Sequence, residues 1–284
     1  MRKFMTAKPT VPLVTLNDGR RIPQLGIGMW QVPDAQVASV LKAALEAGYR
    51  AIDTAAAYQN ETAIGEALRA APVPREQLFV TTKLWNSDHG ADRAPRALEE
   101  SLARLGLGYV DLYLIHWPLP SRNEYADTWK ALVRLRDEGR AKSIGVSNFT
   151  PSHLRRIIDA TGVVPAVNQV ELHPQFPQAA LRAFHAGRGI VTESWSPLAQ
   201  GGDLLNDPVV RKIAAKHRRT PAQVILRWHI ELGLMVIPKS VTPARIAENA
   251  DIFNFSLDAG DMAAFAKLNK GHRIGPDPDT FAMT

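Results

Sequence analysis

Tyr49-Arg50-Ala51-Ile52-Asp53-Thr54-Ala55-Ala56-Ala57-Tyr58-Gln59-Asn60-Glu61 opens as a short apolar strand, Arg50–Asp53, and ends as the start of a helix. An acid, Asp53, stands where the strand gives out. A phenol, Tyr58, follows in the connecting loop. The two groups suit proton transfer; equally, a strand end and a helix start beside an exposed tyrosine would look the same. The residues on either side decide between these readings.

Working outward, the same strand-then-helix unit recurs. Upstream, Val37, Val40, Leu41, Ala44 and Leu45 fall on one helical face, and Gly48 ends that helix. Before it, Leu25–Trp30 reads as a buried strand. Its Gly26-Ile27-Gly28 is no dinucleotide fingerprint, since no third glycine opens a helix. Earlier still, Val11–Thr15 and Arg21-Ile22 flank Asn17-Asp18-Gly19, which predicts a hairpin. Residues 1–10 read as a loose terminus. Downstream, strands are expected at Leu78–Lys83, Asp111–His116, Ser143–Asn148, Ala166–Val170, Gly189–Glu193 and Leu234–Ile237. Helices are expected between them, around Ala97–Leu105, Trp129–Asp137, Leu154–Ala160 and Ala179–Ala186. Thr150-Pro151, Thr220-Pro221 and Thr242-Pro243 each place a capping threonine before a proline at the first helical position, where its missing N–H is harmless.

Apolar strands separated by helices imply a parallel sheet with helices on its outside. Eight such units in a chain of this length predict a closed (β/α)8 TIM barrel rather than an open doubly wound sheet, which would carry a glycine-rich phosphate loop after its first strand. No low-complexity tract or Pro/Gly/Ser linker divides the chain, so residues 1–284 are read as one domain.

Composition narrows the function. Of 284 residues, 45% are hydrophobic and 22% charged, as in a globular protein with a large core. The net charge of +6 is spread along the chain, which favours an anionic small ligand over nucleic acid. The absence of cysteine removes disulfides, thiolate metal sites and a cysteine nucleophile. No apolar run is long enough to span a membrane, and no apolar core follows the basic Met1-Arg2-Lys3-Phe4. A cytoplasmic monomer without nucleic-acid or membrane partners is expected.

The barrel gives the polar residues meaning. Asp53, Lys83, His116 and Asn148 each close a predicted strand, about one β/α unit apart. Strand C-termini of a barrel converge on the face that hosts active sites. Singly, each is more often a solvated loop residue, a cap or a satisfied core histidine; together they form a set. An ammonium beside a phenol lowers the phenol's pKa from about 10. A carboxylate holds that ammonium, and a histidine N–H polarises a carbonyl oxygen. The set suits carbonyl reduction, for which a cofactor must bring the hydride.

These motifs resemble those of the aldo-keto reductases: Ala51-Ile52-Asp53-Thr54-Ala55 with Tyr58, Thr82-Lys83-Leu84-Trp85, Leu112–Pro118, Gly145-Val146-Ser147-Asn148-Phe149, and Ile237-Pro238-Lys239-Ser240. The likeness covers nearly the whole chain and is greatest to bacterial 2,5-diketo-D-gluconate and methylglyoxal reductases. It implies NADPH as cofactor, bound without a Rossmann domain. It also implies a catalytic tetrad of Asp53, Tyr58, Lys83 and His116. Ser147, Asn148 and Gln169 would hold the nicotinamide carboxamide. Trp195 would stack on the ring, where the family often has tyrosine. Ser196, Pro197 and Leu198 would continue into the pyrophosphate loop. Lys239, Ser240, Val241, Thr242, Arg245, Glu248 and Asn249 would receive the adenosine 2′-phosphate end. A capped basic helix end would give the same pattern there. Trp30, Trp85, Trp117 and Phe149 would wall a pocket for a small carbonyl substrate. Leu204–His217 and Ala259–Leu268 match the family's two extra helices, and the tail His272–Pro278 would cross the mouth.

Other readings are a nicotinamide-sensing binding protein, similar to potassium-channel β subunits, and a barrel hydrolase. The sequence holds no His-x-His or His-Glu-x-x-His metal motif, and Gly145–Phe149 misses the Gly-x-Ser-x-Gly elbow.

Overall fold

The computed structural model describes residues 11–284, so the expectation for residues 1–10 lies outside it. Strands β1 (Leu13–Thr15) and β2 (Arg21–Pro23) pair antiparallel as the expected hairpin. Gly19 takes a positive φ of 84° in its turn, a conformation glycine adopts without steric cost. Eight parallel strands follow: β3 (Gly26–Gly28), β4 (Ala51–Asp53), β5 (Phe79–Leu84), β6 (Val110–Ile115), β7 (Ala141–Ser147), β8 (Val167–Glu171), β9 (Val191–Trp195) and β10 (Met235–Val236). Each pairs with its sequence neighbour. A parallel bridge between Leu25 and Val236 closes β3 against β10. The sheet is therefore the expected barrel.

The helices that return the chain are α1 (Asp34–Ala47), α2 (Glu61–Ala70), α3 (Arg93–Leu105), α4 (Tyr125–Asp137), α5 (Pro151–Thr161), α6 (Ala179–Ala186), α8 (Pro221–Glu231) and α9 (Pro243–Ala250). The two extra helices are α7 (Pro208–His217) and α10 (Ala259–Ala266). All three expected Thr-Pro starts open helices, and the Thr220 hydroxyl accepts the Gln223 N–H as a cap. Among the described residues, no helix is long and apolar enough to cross a membrane.

Period-two alternation sorts the strands into an outer and an inner face. Outward residues such as Ile52, Val80, Tyr113 and Val146 join the helices in the main core. Inward residues fill the barrel in layers. Ala51, Phe79, Leu112, Val167 and Met235 cluster with Ile22 and Leu16 of the hairpin, so an apolar plug occupies the N-terminal end. Gly145 is required here: a Cβ would stand 2.5 Å from the Val167 carbonyl oxygen. Toward the strand C-termini the inward positions include Asp53, Lys83, His116, Ser147, Gln169, Glu193 and Trp195. The inside of the barrel thus changes from apolar to polar toward the strand C-termini.

Candidate active site

Asp53 ends β4, and β5 carries Lys83 past it by one inward position. The lysine is fully buried, with 0% exposure, so its charge must be met inside the protein. Its Nζ donates to Asp53 Oδ1 at 2.6 Å, to the Thr54 carbonyl at 2.9 Å and to Tyr58 Oη at 3.2 Å. Three N–H groups therefore meet three acceptors. Burial works against the ammonium, but the Asp53 carboxylate and the Tyr58 oxygen outweigh it and raise the pKa above the lysine norm.

Tyr58 sits on a single helical turn, Ala56–Tyr58, that follows β4. The loop is braced from behind. Thr54 Oγ1 donates to Asn60 Oδ1 at 3.0 Å, and Asn60 Nδ2 donates to the Met29 carbonyl at 2.8 Å. Because the Tyr58 oxygen accepts from Lys83, its own proton is directed elsewhere, and the phenol lines the cavity. One expectation needs correction. Burial raises the Tyr58 pKa more than Lys83 lowers it, so the phenol stands above 10 and holds its proton at neutral pH.

His116 follows β6 and lies edge-on to Tyr58, with ring centroids 5.8 Å apart, and edge-on to Trp85 at 5.2 Å. Burial and the Lys83 charge press its pKa well below 6.5, which leaves a neutral imidazole. Its Nδ1 is buried without a partner. A proton there would be an orphaned donor, so the favoured tautomer carries it on Nε2, the nitrogen free to meet a ligand.

On the next strands, side-chain amides and hydroxyls interlock. Asn148, at a positive φ of 64°, donates from Nδ2 to the His116 carbonyl and to Ser147 Oγ, while its Oδ1 accepts from Trp195 Nε1 at 2.9 Å. Ser147 Oγ donates to the Gln169 carbonyl at 2.8 Å. The donors of Ser147 and Asn148 expected to hold a carboxamide are thus engaged within the protein. Trp195 lines the same cavity, and its indole N–H to Asn148 fixes the ring in place.

Two cavities share Trp30, Ser196, Pro197, Gln200 and Lys239 and so form one groove. The first, about 890 Å³, is lined by Asp53, Tyr58, His116, Ser147, Asn148, Gln169 and Trp195, with Trp30, Trp85 and Trp117 as walls. The second, about 1000 Å³, runs over Ser196, Pro197 and Leu198 to Lys239, Ser240, Val241, Thr242, Arg245, Glu248 and Asn249. Every expected cofactor residue lies on this groove. Its far end has the exposed cations Lys239 and Arg245 beside the N-terminus of α9, a setting for a phosphate. Phe149 departs from expectation. It is buried outside the barrel wall against Tyr125 and His153, because the residue after Asn148 points toward the helices.

Several residues of the site are absent from the sequence reading. Glu193 is buried in the barrel, one inward position before Trp195; the alternation Val191, Glu193, Trp195 was the available signal. Arg211, on the extra helix α7, lines the far cavity. The tail covers the mouth as expected but reaches beyond Pro278, since the Phe281 ring packs tilted against Trp117 with centroids 4.4 Å apart and Met283 joins the lining. Glu171 accepts from the Ile274 and Gly275 N–H groups at 2.6 and 2.7 Å, which seats Gly275 directly on Trp195. A Cβ at Gly275 would lie 2.4 Å from the indole.

Comparison with known proteins agrees with this geometry. An aldo-keto reductase of Mycolicibacterium smegmatis is 58% identical over 96% of this chain and 99% of its own length. The methylglyoxal reductase DkgA of Escherichia coli is 54% identical over 97% of this chain and 99% of its own length. Among solved structures, a Gox0644 variant in complex with NADPH superposes with a TM-score of 0.92 at 51% identity, covering 96% of this chain and 99% of that one. The sequence profile of the aldo/keto reductase family matches residues 23–270. The chain belongs to the aldo/keto reductase family.

Proposed function

We propose that the chain reduces small aldehydes and ketones, methylglyoxal among them, to alcohols with NADPH, acting as a cytoplasmic monomer. The observation that carries the reading is the Tyr58 phenol, protonated, oriented by Lys83 and facing the same cavity as a neutral His116. The groove fits the cofactor chemically. Trp195 offers a flat face, Gln169 an amide, and Lys239 and Arg245 charge for the 2′-phosphate.

Bound NADPH supplies a hydride to the carbonyl carbon. The protein's part is proton delivery and orientation. His116 Nε2–H donates to the carbonyl oxygen and draws electron density toward it. Tyr58 Oη–H delivers the proton to that oxygen as it becomes an alkoxide. The negative charge left on Tyr58 lies 3.2 Å from the Lys83 ammonium, whose countercharge on Asp53 is fixed at 2.6 Å. The proton therefore leaves a phenol whose resting pKa is high but whose anion has a cation already in place. The walls Trp30, Trp85, Trp117 and Phe281 accept an apolar substrate body and keep water away.

Loss of NADPH absorbance on adding methylglyoxal, with NADH run in parallel, tests the proposal. Turnover with NADPH well above NADH is expected. Tight NADPH binding with no turnover on a panel of aldehydes and ketones would instead favour a nicotinamide-sensing role.

A further inference from the structure

Gln169 has one side-chain nitrogen and two hydrogens on it. Nε2 donates to Asp53 Oδ2 at 2.7 Å and to Glu193 Oε2 at 2.8 Å. Both partners are carboxyl oxygens, and all three residues are buried. The amide can sit only one way round between two acceptors, because its carbonyl oxygen there would face the ionised Asp53. Its Oε1 is consequently the atom left over. No hydrogen bond to Oε1 is present among the described residues, and Gln169 lines the cavity beside Asn148 and Trp195. The amides and hydroxyl of Asn148 and Ser147 are already engaged. Gln169 Oε1 is the open acceptor of this cluster, and the only hydrogen-bond donor on a nicotinamide is its carboxamide NH2.

We infer that Glu193 is a positioning residue for the cofactor: it pins the Gln169 amide so that Oε1 accepts from the nicotinamide carboxamide. The inference deepens the function proposed above and rests on it. Asp53 cannot do this alone, since one carboxylate engages one hydrogen and leaves the amide free to turn about it. The charged groups that face Glu193 are Asp53 from β4 and Lys83 from β5, with Tyr58 beyond them; Met235, beside it on β10, is apolar. One cation among two acids leaves Glu193 as the protonated member, and burial and the nearby Asp53 hold its carboxyl far above the usual range. A neutral carboxyl still accepts through its carbonyl oxygen, so an amide at this position would serve the same purpose.

The test uses the full chain and two probes: NADP+, and 2′-phospho-ADP-ribose, which lacks the nicotinamide. Affinities are read by calorimetry. Glu193→Met keeps the volume and removes the acceptor. It should weaken NADP+ about tenfold, the scale of one lost hydrogen bond to a positioned group, and leave 2′-phospho-ADP-ribose within about twofold. Glu193→Gln should restore NADP+ to within about threefold of wild type. In steady state, Glu193→Met should raise the KM for NADPH more than it lowers kcat. Where Glu193→Met fails to fold, Glu193→Ala is read the same way. Wild-type preference for NADP+ that persists unchanged in Glu193→Met, or equal loss of both probes, overturns the inference alone. Equal wild-type affinity for the two probes overturns the nicotinamide placement and this inference with it.

Discussion

Lys83 is fully buried and has no spare N–H. Its charge is tolerable only because Asp53, the Thr54 carbonyl and Tyr58 surround the Nζ at hydrogen-bond distance. Replacing one member of a buried ion pair leaves the other charge without a partner, at a cost of about 3–5 kcal/mol. Lys83→Met should therefore lower unfolding stability by about that much in urea titrations, as well as abolish reduction. Glu193 contributes in the other direction. Its carboxyl is pushed up to about 8 from an ordinary 4.5, first by burial and then by Asp53. A group raised on folding gives stability that is full below its unfolded pKa and lost as pH climbs through the folded value. Between about pH 4.5 and 8 the wild type should lose stability relative to Glu193→Gln, by at most about 1.4 kcal/mol per pH unit. Urea midpoints of the two proteins at pH 5, 6.5 and 8 check this; parallel curves would show that Glu193 ionises freely. At this scale the sequence was only partly legible. Asp53, Lys83 and His116 could be placed because each ends a strand. Glu193 closes the expected strand Gly189–Glu193 as well, but its neighbours Gln169 and Asp53 lie 24 and 140 residues away, and nothing local marks that contact.

Between residues and barrel stand the elements that aim the site. The tail is held where it passes Glu171, whose carboxylate takes the Ile274 and Gly275 N–H groups and pairs with His173 at 3.1 Å. Burial alone would raise the Glu171 pKa; His173 and the two N–H groups together bring it below the usual value. The anchor is accordingly full at neutral pH and lost as pH falls through that lowered pKa. Glu171→Gln exchanges one accepting oxygen for a donor that would meet an N–H. Amide hydrogen exchange at Ile274 and Gly275 should quicken by about tenfold or more, consistent with a lost bond of about 1.5–3 kcal/mol to a charged acceptor. Unaltered protection of both amides would mean that the tail is held by Phe281 and Trp117 instead. The family resemblance implied that the tail crosses the mouth, but the tail's sequence carried no sign of its partner, which lies 103 residues upstream.

For the molecule as a whole, the rhythm of apolar strands and helices was readable because parallel strands buried on both faces stay apolar along their length. The inward-facing polar residues Asp53, Lys83, His116, Ser147 and Gln169 fall toward the strand C-termini, where the barrel opens. Closure between β3 and β10, the apolar plug at the opposite end and the joining of two cavities into one groove depend on the assembled barrel and leave no local mark. Strand limits moved by a residue or two for the same reason: Leu234–Ile237 was expected, and the ladder holds only Met235–Val236. In the function proposed, this barrel positions one phenol to protonate a carbonyl oxygen while the cofactor site stands independently of it. Tyr58→Phe removes only that hydroxyl. The decisive measurement is steady-state reduction of methylglyoxal by the variant, with NADPH affinity measured on the same sample. A fall in kcat of about 10²–10⁴-fold is expected, with the NADPH Kd within about twofold of wild type. A variant that keeps its kcat to within about threefold would contradict it.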